Sequence, residues 1–131
     1  MCLIAFAYET HPDYPLVVAA NRDEFHARPT AQAAFWEEQP AILAGRDLEC
    51  MGTWMGVTRS GRFAAVTNFR DPDDTRSSAE SRGTLVSDFL AQDISCTAFL
   101  TALAARSNAY RGFNLLLNDG AGDLVQEWEA P

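Results

Sequence analysis

The chain has 131 residues, of which 47% are hydrophobic, and it carries a formal net charge of −8. This length and this apolar share predict one folded domain with its own core rather than a disordered segment. The acidic balance argues against nucleic acid or an anionic membrane surface as the main partner. All ten basic side chains are arginines. Schiff-base chemistry and a phosphate-binding Walker lysine are therefore excluded.

The three cysteines are odd in number and show no C-x-x-C spacing, which favours a reduced compartment over a disulfide framework. No signal peptide opens the chain and no apolar run is long enough to span a membrane. The two histidines, His11 and His26, do not have metal-ligand spacing. We therefore expect a cytoplasmic protein with neither a structural metal nor a cofactor.

The first element predicted along the chain is a β-hairpin. An apolar run over residues 2–8 is followed by a turn rich in proline and aspartate, and a second apolar run covers residues 16–20. If the turn is centred near residue 12, Cys2 faces Asn21, Arg22 or Asp23. Opposed side chains on a ladder have Cβ atoms about 4.5–5.5 Å apart. A thiol, a cation and an acid would thus meet at one end of the hairpin.

The position of Cys2 suggests a nucleophile. A small side chain at residue 2 permits removal of Met1, which would leave a free α-amine beside the thiol. A base and a nucleophile then share one residue, as in N-terminal-threonine enzymes, and Arg22 would favour the thiolate. The alternative is a small hydrophobic residue that begins a buried strand. The polar quartet at residues 21–24 favours the functional interpretation.

The segment after the quartet, residues 25–39, is predicted to be a loop that either covers the site entrance or simply connects elements at the surface. A short strand is predicted over residues 41–45. Strands over 54–58 and 63–69 flank a hairpin connection with glycine where a positive φ is needed. Gly52 and Gly56 indicate a bulge or a close backbone approach. Trp54 either packs in the core or lines a pocket.

Asn68 ends one face of the second of these strands, two residues after Val66. A neutral amide at a strand end is a donor of the kind found in oxyanion holes, although it can also simply cap the strand. The polar run over residues 71–83 predicts a mobile loop. Arg70, Arg76 and Arg82 lie on or beside it and could meet a substrate carboxylate or phosphate; a solvated loop with scattered charge is the alternative.

The second half of the chain predicts two amphipathic helices and two strands. Apolar residues recur with helical spacing over 85–90 and again over 99–103, and Ser95 can cap the second helix. A strand over 113–118 has apolar residues on both faces, and a last strand covers 124–128. Strands, then helices, then strands favour an α+β fold with helices stacked on an antiparallel sheet.

Taken together, these motifs resemble the NRDE family, also called the transport and Golgi organisation family. The motifs that carry the resemblance occur in the family's order: Met1-Cys2, Asn21-Arg22-Asp23-Glu24, Gly52-Thr53-Trp54, Thr67-Asn68-Phe69-Arg70, Ser81-Arg82-Gly83 and Phe113-Asn114-Leu115. Met51 departs from the pattern, since family members usually have a glycine there. Family members are also about twice as long, so the 131 residues resemble an N-terminal half.

The family in turn resembles the N-terminal-nucleophile hydrolases, in particular the penicillin V acylase and bile salt hydrolase group. This resemblance implies a four-layer αββα sandwich, of which residues 1–131 would supply about half as one domain. It implies catalytic roles for Cys2, Arg22, Asp23 and Asn68, with Glu24 able to replace Asp23. Because fold does not fix function, the resemblance leaves the substrate open.

Our leading hypothesis is a cysteine amidohydrolase that acts on a linear C–N bond other than a peptide bond. The residues expected to bind its small-molecule amide or lipid-like substrate are Asn21, Glu24, Trp54, Phe69, Arg70 and Arg82. The rival hypothesis is a non-catalytic carrier of haem or an acyl lipid. Its apolar wall would be Phe35, Trp36, Trp54 and Phe69, with Cys2 or His26 as axial haem ligand. A third is a Cys2–His26 dyad.

A half-sandwich would leave apolar strand faces uncovered. We therefore expect the isolated chain either to form a homodimer or to form a smaller sheet-and-helix domain with a partly walled site. The strand over 113–118 is predicted to have an open edge, which is an aggregation hazard.

Overall fold

The computed structural model describes residues 2–69, 72–75, 79–122 and 124–129, the last of these ranges through its backbone. Within these ranges the chain forms eight strands, two α-helices and one 3₁₀ turn. The strands are β1 (Leu3–Tyr8), β2 (Leu16–Asn21), β3 (Thr30–Phe35), β4 (Ile42–Asp47), β5 (Met55–Thr58), β6 (Phe63–Asn68), β7 (Phe113–Asn118) and β8 (Leu124–Glu129). The helices α1 (Gly83–Ala91) and α2 (Cys96–Ala104) lie between β6 and β7, and the 3₁₀ turn covers Ser107–Ala109.

The strands form two antiparallel sheets. β1 and β2 pair with each other as a two-stranded sheet, and β3 to β8 form a six-stranded sheet in which chain neighbours are sheet neighbours. The turn between β5 and β6 contains Gly61 at φ 88°, the left-handed conformation that glycine adopts without strain. The predicted α+β class is confirmed.

One face of the six-stranded sheet carries the helices. Ser95 caps α2 as predicted, because its hydroxyl oxygen accepts a hydrogen bond from the Ala98 N–H at 3.1 Å. The apolar stripes of both helices pack on inward-facing side chains of the sheet and form the larger core. Its members include Leu85, Val86, Phe89, Phe99, Leu103, Ile42, Ala64, Val66, Leu115 and Leu117.

The β1–β2 hairpin covers part of the opposite face of this sheet. Phe63, Ala65 and Leu116 are buried there, with Ile4, Leu16, Val18 and Met55 packed against them. The described residues thus form three layers: helices, large sheet and hairpin. Because side chains alternate along a strand, the outer face of the hairpin holds the intervening residues. Leu3 is 64% exposed on that face and Val17 is 47% exposed.

Two predictions about strands were wrong. Residues 30–35, expected to be loop, form β3 at the edge of the large sheet, paired with β4. Every residue of β3 is exposed and half are alanines, so neither β propensity nor alternation marks it. The strand over 113–118 has no open edge, because β7 lies between β6 and β8. An apolar run predicts burial, whereas pairing with β8 depends on the turn that follows β7.

Candidate functional site

A cleft of about 1020 Å³ is lined by residues of both the hairpin and the six-stranded sheet. Its lining includes seven of the residues singled out from the sequence: Cys2, Arg22, Asp23, Glu24, Trp54, Asn68 and Arg82. Another part of its wall is apolar and includes Leu16, Val18, Leu43 and Met55. The cleft therefore joins a nucleophile and several charged groups to a hydrophobic surface.

The hairpin brings Cys2 to the first residues of the quartet, as its predicted register required. Leu3 pairs with Asn21, whose side-chain oxygen accepts a hydrogen bond from the Leu3 N–H at 2.9 Å. Next to this pair, the Cys2 Sγ accepts a hydrogen bond from the Asp23 N–H at 3.4 Å. The same sulfur lies 3.9 Å from the Asp23 carbonyl oxygen, to which a neutral thiol can donate. A backbone donor aimed at sulfur stabilises a thiolate.

Arg22 and Arg82, two of the arginines that line the cleft, have no acidic partner among the described residues. Arg22 makes no hydrogen bond or ion pair with any other residue that the structure describes. Arg82 donates from Nη1 to the Gly112 carbonyl oxygen at 2.9 Å, and no described carboxylate lies within 4.0 Å of it. Burial lowers the pKa of the Arg82 guanidinium, and the positive charge of Arg111 lowers it further. Arg111, which also lines the cleft, had not been identified from the sequence.

Arg82 is linked through the Gly112 carbonyl oxygen to the strand end that carries Asn68. The Gly112 carbonyl oxygen accepts a second hydrogen bond, from the Phe69 N–H at 3.0 Å, immediately after β6. Asn68 is the last residue of β6 and pairs with Phe113. Its side-chain amide makes no hydrogen bond within the described ranges, so its N–H groups remain available to a ligand in the cleft.

A contact between two glycines sets the position of Arg82. The Thr53 N–H donates to the Gly83 carbonyl oxygen at 3.2 Å. A Cβ on Gly52 would lie 2.5 Å from the Gly83 carbonyl carbon, closer than any side chain allows. Gly52 therefore serves a close backbone approach, one of the two alternatives predicted for it. Trp54 satisfies both of its predicted roles, since it packs against the core and lines the cleft.

Arg28 and Asp47 form an ion pair that the sequence did not suggest. Arg28 donates to Asp47 through Nε at 3.1 Å and through Nη2 at 2.7 Å. Its guanidinium also lies 3.4 Å from Glu49 and 4.0 Å from Glu24 of the quartet, and Nη2 lies 3.6 Å from the Cys50 Sγ. Arg28 holds the pKa of Asp47 below its usual range, and the pair raises the pKa of Arg28.

The Arg28–Asp47 pair ties the segment after the quartet to the end of β4 and thereby holds one wall of the cleft. The only local sign in the sequence is the four-residue spacing between Glu24 and Arg28, which many unrelated surface pairs share.

Several predicted site residues do not reach the cleft. Asn21 binds the hairpin backbone instead of lining the cleft. Phe35, Trp36 and Phe69 are also absent from the lining; Trp36 is buried on the helix side, where its indole N–H donates to the Ala44 carbonyl oxygen at 3.2 Å. His26 is exposed, lies outside the lining and makes no hydrogen bond with Cys2 among the described residues, so the structure does not assemble the Cys2–His26 dyad. Arg70 lies outside the described residues, as does Arg76.

Among the described residues, no group of three His, Cys, Asp or Glu side chains is arranged to hold a metal ion. Of the helices in those ranges, none has the length and hydrophobicity needed to cross a bilayer. Fold and site therefore define a class: an α+β protein with a cysteine-containing cleft between a hairpin and a larger sheet.

Comparison with known proteins places the chain within a family. The sequence profile described as Transport and Golgi organisation 2 matches residues 1–127, and the chain belongs to this family. It is 40% identical over 135 residues to the Transport and Golgi organization protein 2 homolog of Bos taurus, and 38% identical over 136 residues to that of Homo sapiens. Each alignment covers 95% of this chain and 49% of the relative.

The Drosophila melanogaster Transport and Golgi organization protein 2 is 36% identical over 99 residues, which is 69% of this chain and 35% of that protein. The chain thus spans about half the length of the mammalian relatives it matches.

Proposed function

We propose that this chain carries the nucleophile of an N-terminal-cysteine amidohydrolase that cleaves a linear, non-peptide C–N bond. The observation that carries the proposal is the hydrogen bond from the Asp23 N–H to the Cys2 Sγ, in a cleft that Arg22 and Asn68 also line. A sulfur that accepts a backbone N–H in a cleft that cations also line has surroundings that favour a reactive thiolate. The proposal requires that Met1 is removed, so that Cys2 has a free amine.

The reaction divides into two steps. The α-amine of Cys2 takes the thiol proton, and the sulfur attacks the amide carbonyl carbon. The C–N bond then breaks, the ammonium returns the proton to the leaving amine, and an acyl thioester remains on Cys2. Water, deprotonated by the same amine, attacks the thioester and releases a carboxylic acid and the free thiol. Asp23 would orient the amine, and the Asn68 amide would stabilise the oxyanion in both steps.

The proposal includes the αββα sandwich of N-terminal-nucleophile hydrolases. Helices, large sheet and hairpin correspond in order to three layers of such a sandwich. The exposed apolar outer face of the hairpin is where a fourth layer would pack. Relatives about twice as long as this chain have enough residues to supply it.

A second candidate is a carrier that binds an acyl lipid without cleaving it. The apolar wall formed by Leu16, Val18, Leu43 and Met55 favours a ligand with a hydrocarbon chain. Haem fits the cleft less well, because His26 and three of the four aromatic residues expected around it lie outside the lining. We therefore derive no role for haem.

The test is release of free amine from a set of N-acyl amides of increasing chain length. Cys2→Ala is expected to abolish release, and the matched variant Cys50→Ala, which alters another thiol of the same cleft, is expected to retain it. Asn68→Ala is expected to lower kcat by about 10²–10³-fold, the usual effect of losing one oxyanion donor. Hydrolysis that persists in Cys2→Ala would contradict the proposal. Saturable binding of a fluorescent fatty acid without any hydrolysis would favour the carrier.

A further inference from the structure

The arginines that line the cleft differ in how their charge is compensated. Arg28 is neutralised by Asp47 at 2.7 Å, and Arg46 is paired with Glu38. Arg22 and Arg82, which line the cleft together with Cys2, have no acidic partner within 4.0 Å in the part of the chain that the structure describes. Arg62 also lines the cleft without a carboxylate within 4.0 Å among the described residues, but it is buried, donates to the Phe89 carbonyl oxygen at 3.1 Å and lies over the Phe89 ring.

The acidic residues near these two arginines do not neutralise them. The Glu24 carboxylate accepts a hydrogen bond from the Phe25 N–H at 2.9 Å and lies 4.0 Å from Arg28. Glu24 and Asp74 act on Arg82 more weakly than burial and Arg111 do. A half-buried guanidinium without a counter-charge is costly, and an anion that enters the cleft would remove that cost. Guanidinium groups match carboxylate and phosphate geometry in particular.

We propose that Arg22 and Arg82 form an anion-binding subsite beside Cys2, which receives a carboxylate or phosphate group of the substrate. The proposed substrates are therefore anionic amides, whose hydrocarbon part lies on the apolar wall of the cleft. This substrate class rests on the proposed function, but anion binding itself does not require hydrolysis, so the two can be tested separately.

The experiment compares alkylation of Cys2 by iodoacetate and by iodoacetamide, two reagents of similar size that differ in charge. Rates are read from the Cys2 peptide by mass spectrometry at one pH and low salt. We expect the iodoacetate-to-iodoacetamide rate ratio at Cys2 to exceed that of free cysteine by about tenfold. One charge pair a few ångströms apart in water changes a rate by about threefold to fivefold. The excess should shrink at high salt, because salt screens exposed charges.

Substitutions assign the effect to the two residues. Arg22→Gln and Arg82→Gln should each lower the ratio by about threefold to fivefold. The matched control is Arg106→Gln, which changes net charge equally but removes an exposed arginine paired with Asp88 at 3.6 Å. Because Arg82 also binds the Gly112 carbonyl oxygen, Arg82→Lys serves as a second variant that keeps the charge and should retain most of the ratio. Thermal melts show whether each variant is folded.

Protection of unmodified protein against iodoacetamide identifies the anion. Inorganic phosphate and octanoate are compared at constant ionic strength. Better protection by octanoate assigns the subsite to a carboxylate with a hydrocarbon chain, and better protection by phosphate assigns it to a phosphate group. The proposal is overturned if neither protects, or if the rate ratio equals that of free cysteine. A Cys2 that reacts with iodoacetamide no faster than Cys50 would instead contradict the nucleophile proposal and leave the ratio as a valid test of the subsite.

Discussion

The Arg28–Asp47 pair allows a quantitative test of how the cleft wall is held. Its two parallel hydrogen bonds, at 3.1 and 2.7 Å, join side chains that are only 25% and 12% exposed. Exposed pairs contribute about 0.2–1 kcal/mol, and breaking a fully buried pair costs about 3–5 kcal/mol. This partly buried, bidentate pair should lie between these limits. We expect a coupling free energy of about 2 kcal/mol between the two side chains. Loss of Arg28 alone should lower the free energy of unfolding by a similar amount.

The assay is a double-mutant cycle of urea unfolding with Arg28→Met, Asp47→Asn and the double variant. The control cycle uses Arg106 and Asp88, which are 47% and 45% exposed and 3.6 Å apart, and should give about 0.5 kcal/mol or less. Because the folded-state pKa of Asp47 is lowered, its contribution is present above about pH 4 and is lost as the pH falls through the folded pKa. A coupling no larger than the control, or one unchanged in acid, would refute the role assigned to the pair.

Three further predictions concern the remainder of the chain. Met51 has φ 60°, so Met51→Gly should raise the free energy of unfolding by about 0.5–1 kcal/mol in urea titrations; a loss of stability would show that the left-handed conformation is not strained. Burial raises the pKa of Cys96 to about 11, so its stabilisation is complete below the unfolded pKa of about 8.5 and declines as the pH rises towards 11. Between pH 7 and pH 10 the free energy of unfolding should therefore fall more in wild type than in Cys96→Ala. Equal decreases in the two proteins would contradict this. The exposed face around Leu3 and Val17 should make the isolated chain dimerise or bind a hydrophobic dye, and Val17→Lys should weaken both. A wild-type protein that is monomeric by size-exclusion with light scattering and binds no dye would show that this face needs no cover.

The local features of the fold could be predicted from the sequence because each depends on nearby residues. The register of the first hairpin follows from the position of its turn, and the structure pairs Leu3 with Asn21 within the predicted range. The Ser95 cap and the 59–62 turn likewise depend on side chains a few residues apart. Seven candidate site residues line one cleft, and the predicted hairpin and strand ends account for part of this arrangement.

The remaining features depend on contacts between segments that are far apart in sequence. β3 is held by its ladder to β4 and not by burial, so an alanine-rich exposed segment showed no strand pattern. The partner of Arg28 is 19 residues away across two strands, and nothing near either residue identifies the other. Phe35 and Trp36 were expected in the cleft, but burial on the helix side is equally compatible with an aromatic pair, and Trp36 takes it.

The claim on which the proposed function depends is that Cys2 is the N-terminal residue of the mature protein and that its thiol is accessible. A 2-cyanobenzothiazole reagent tests this in one measurement, since it forms a stable ring only with an amine and a thiol on the same residue. We predict stoichiometric labelling confined to the Cys2 peptide, with Met1 absent and with Cys50 and Cys96 unmodified. Failure to label, with Met1 still attached to Cys2, would remove the general base and contradict the mechanism.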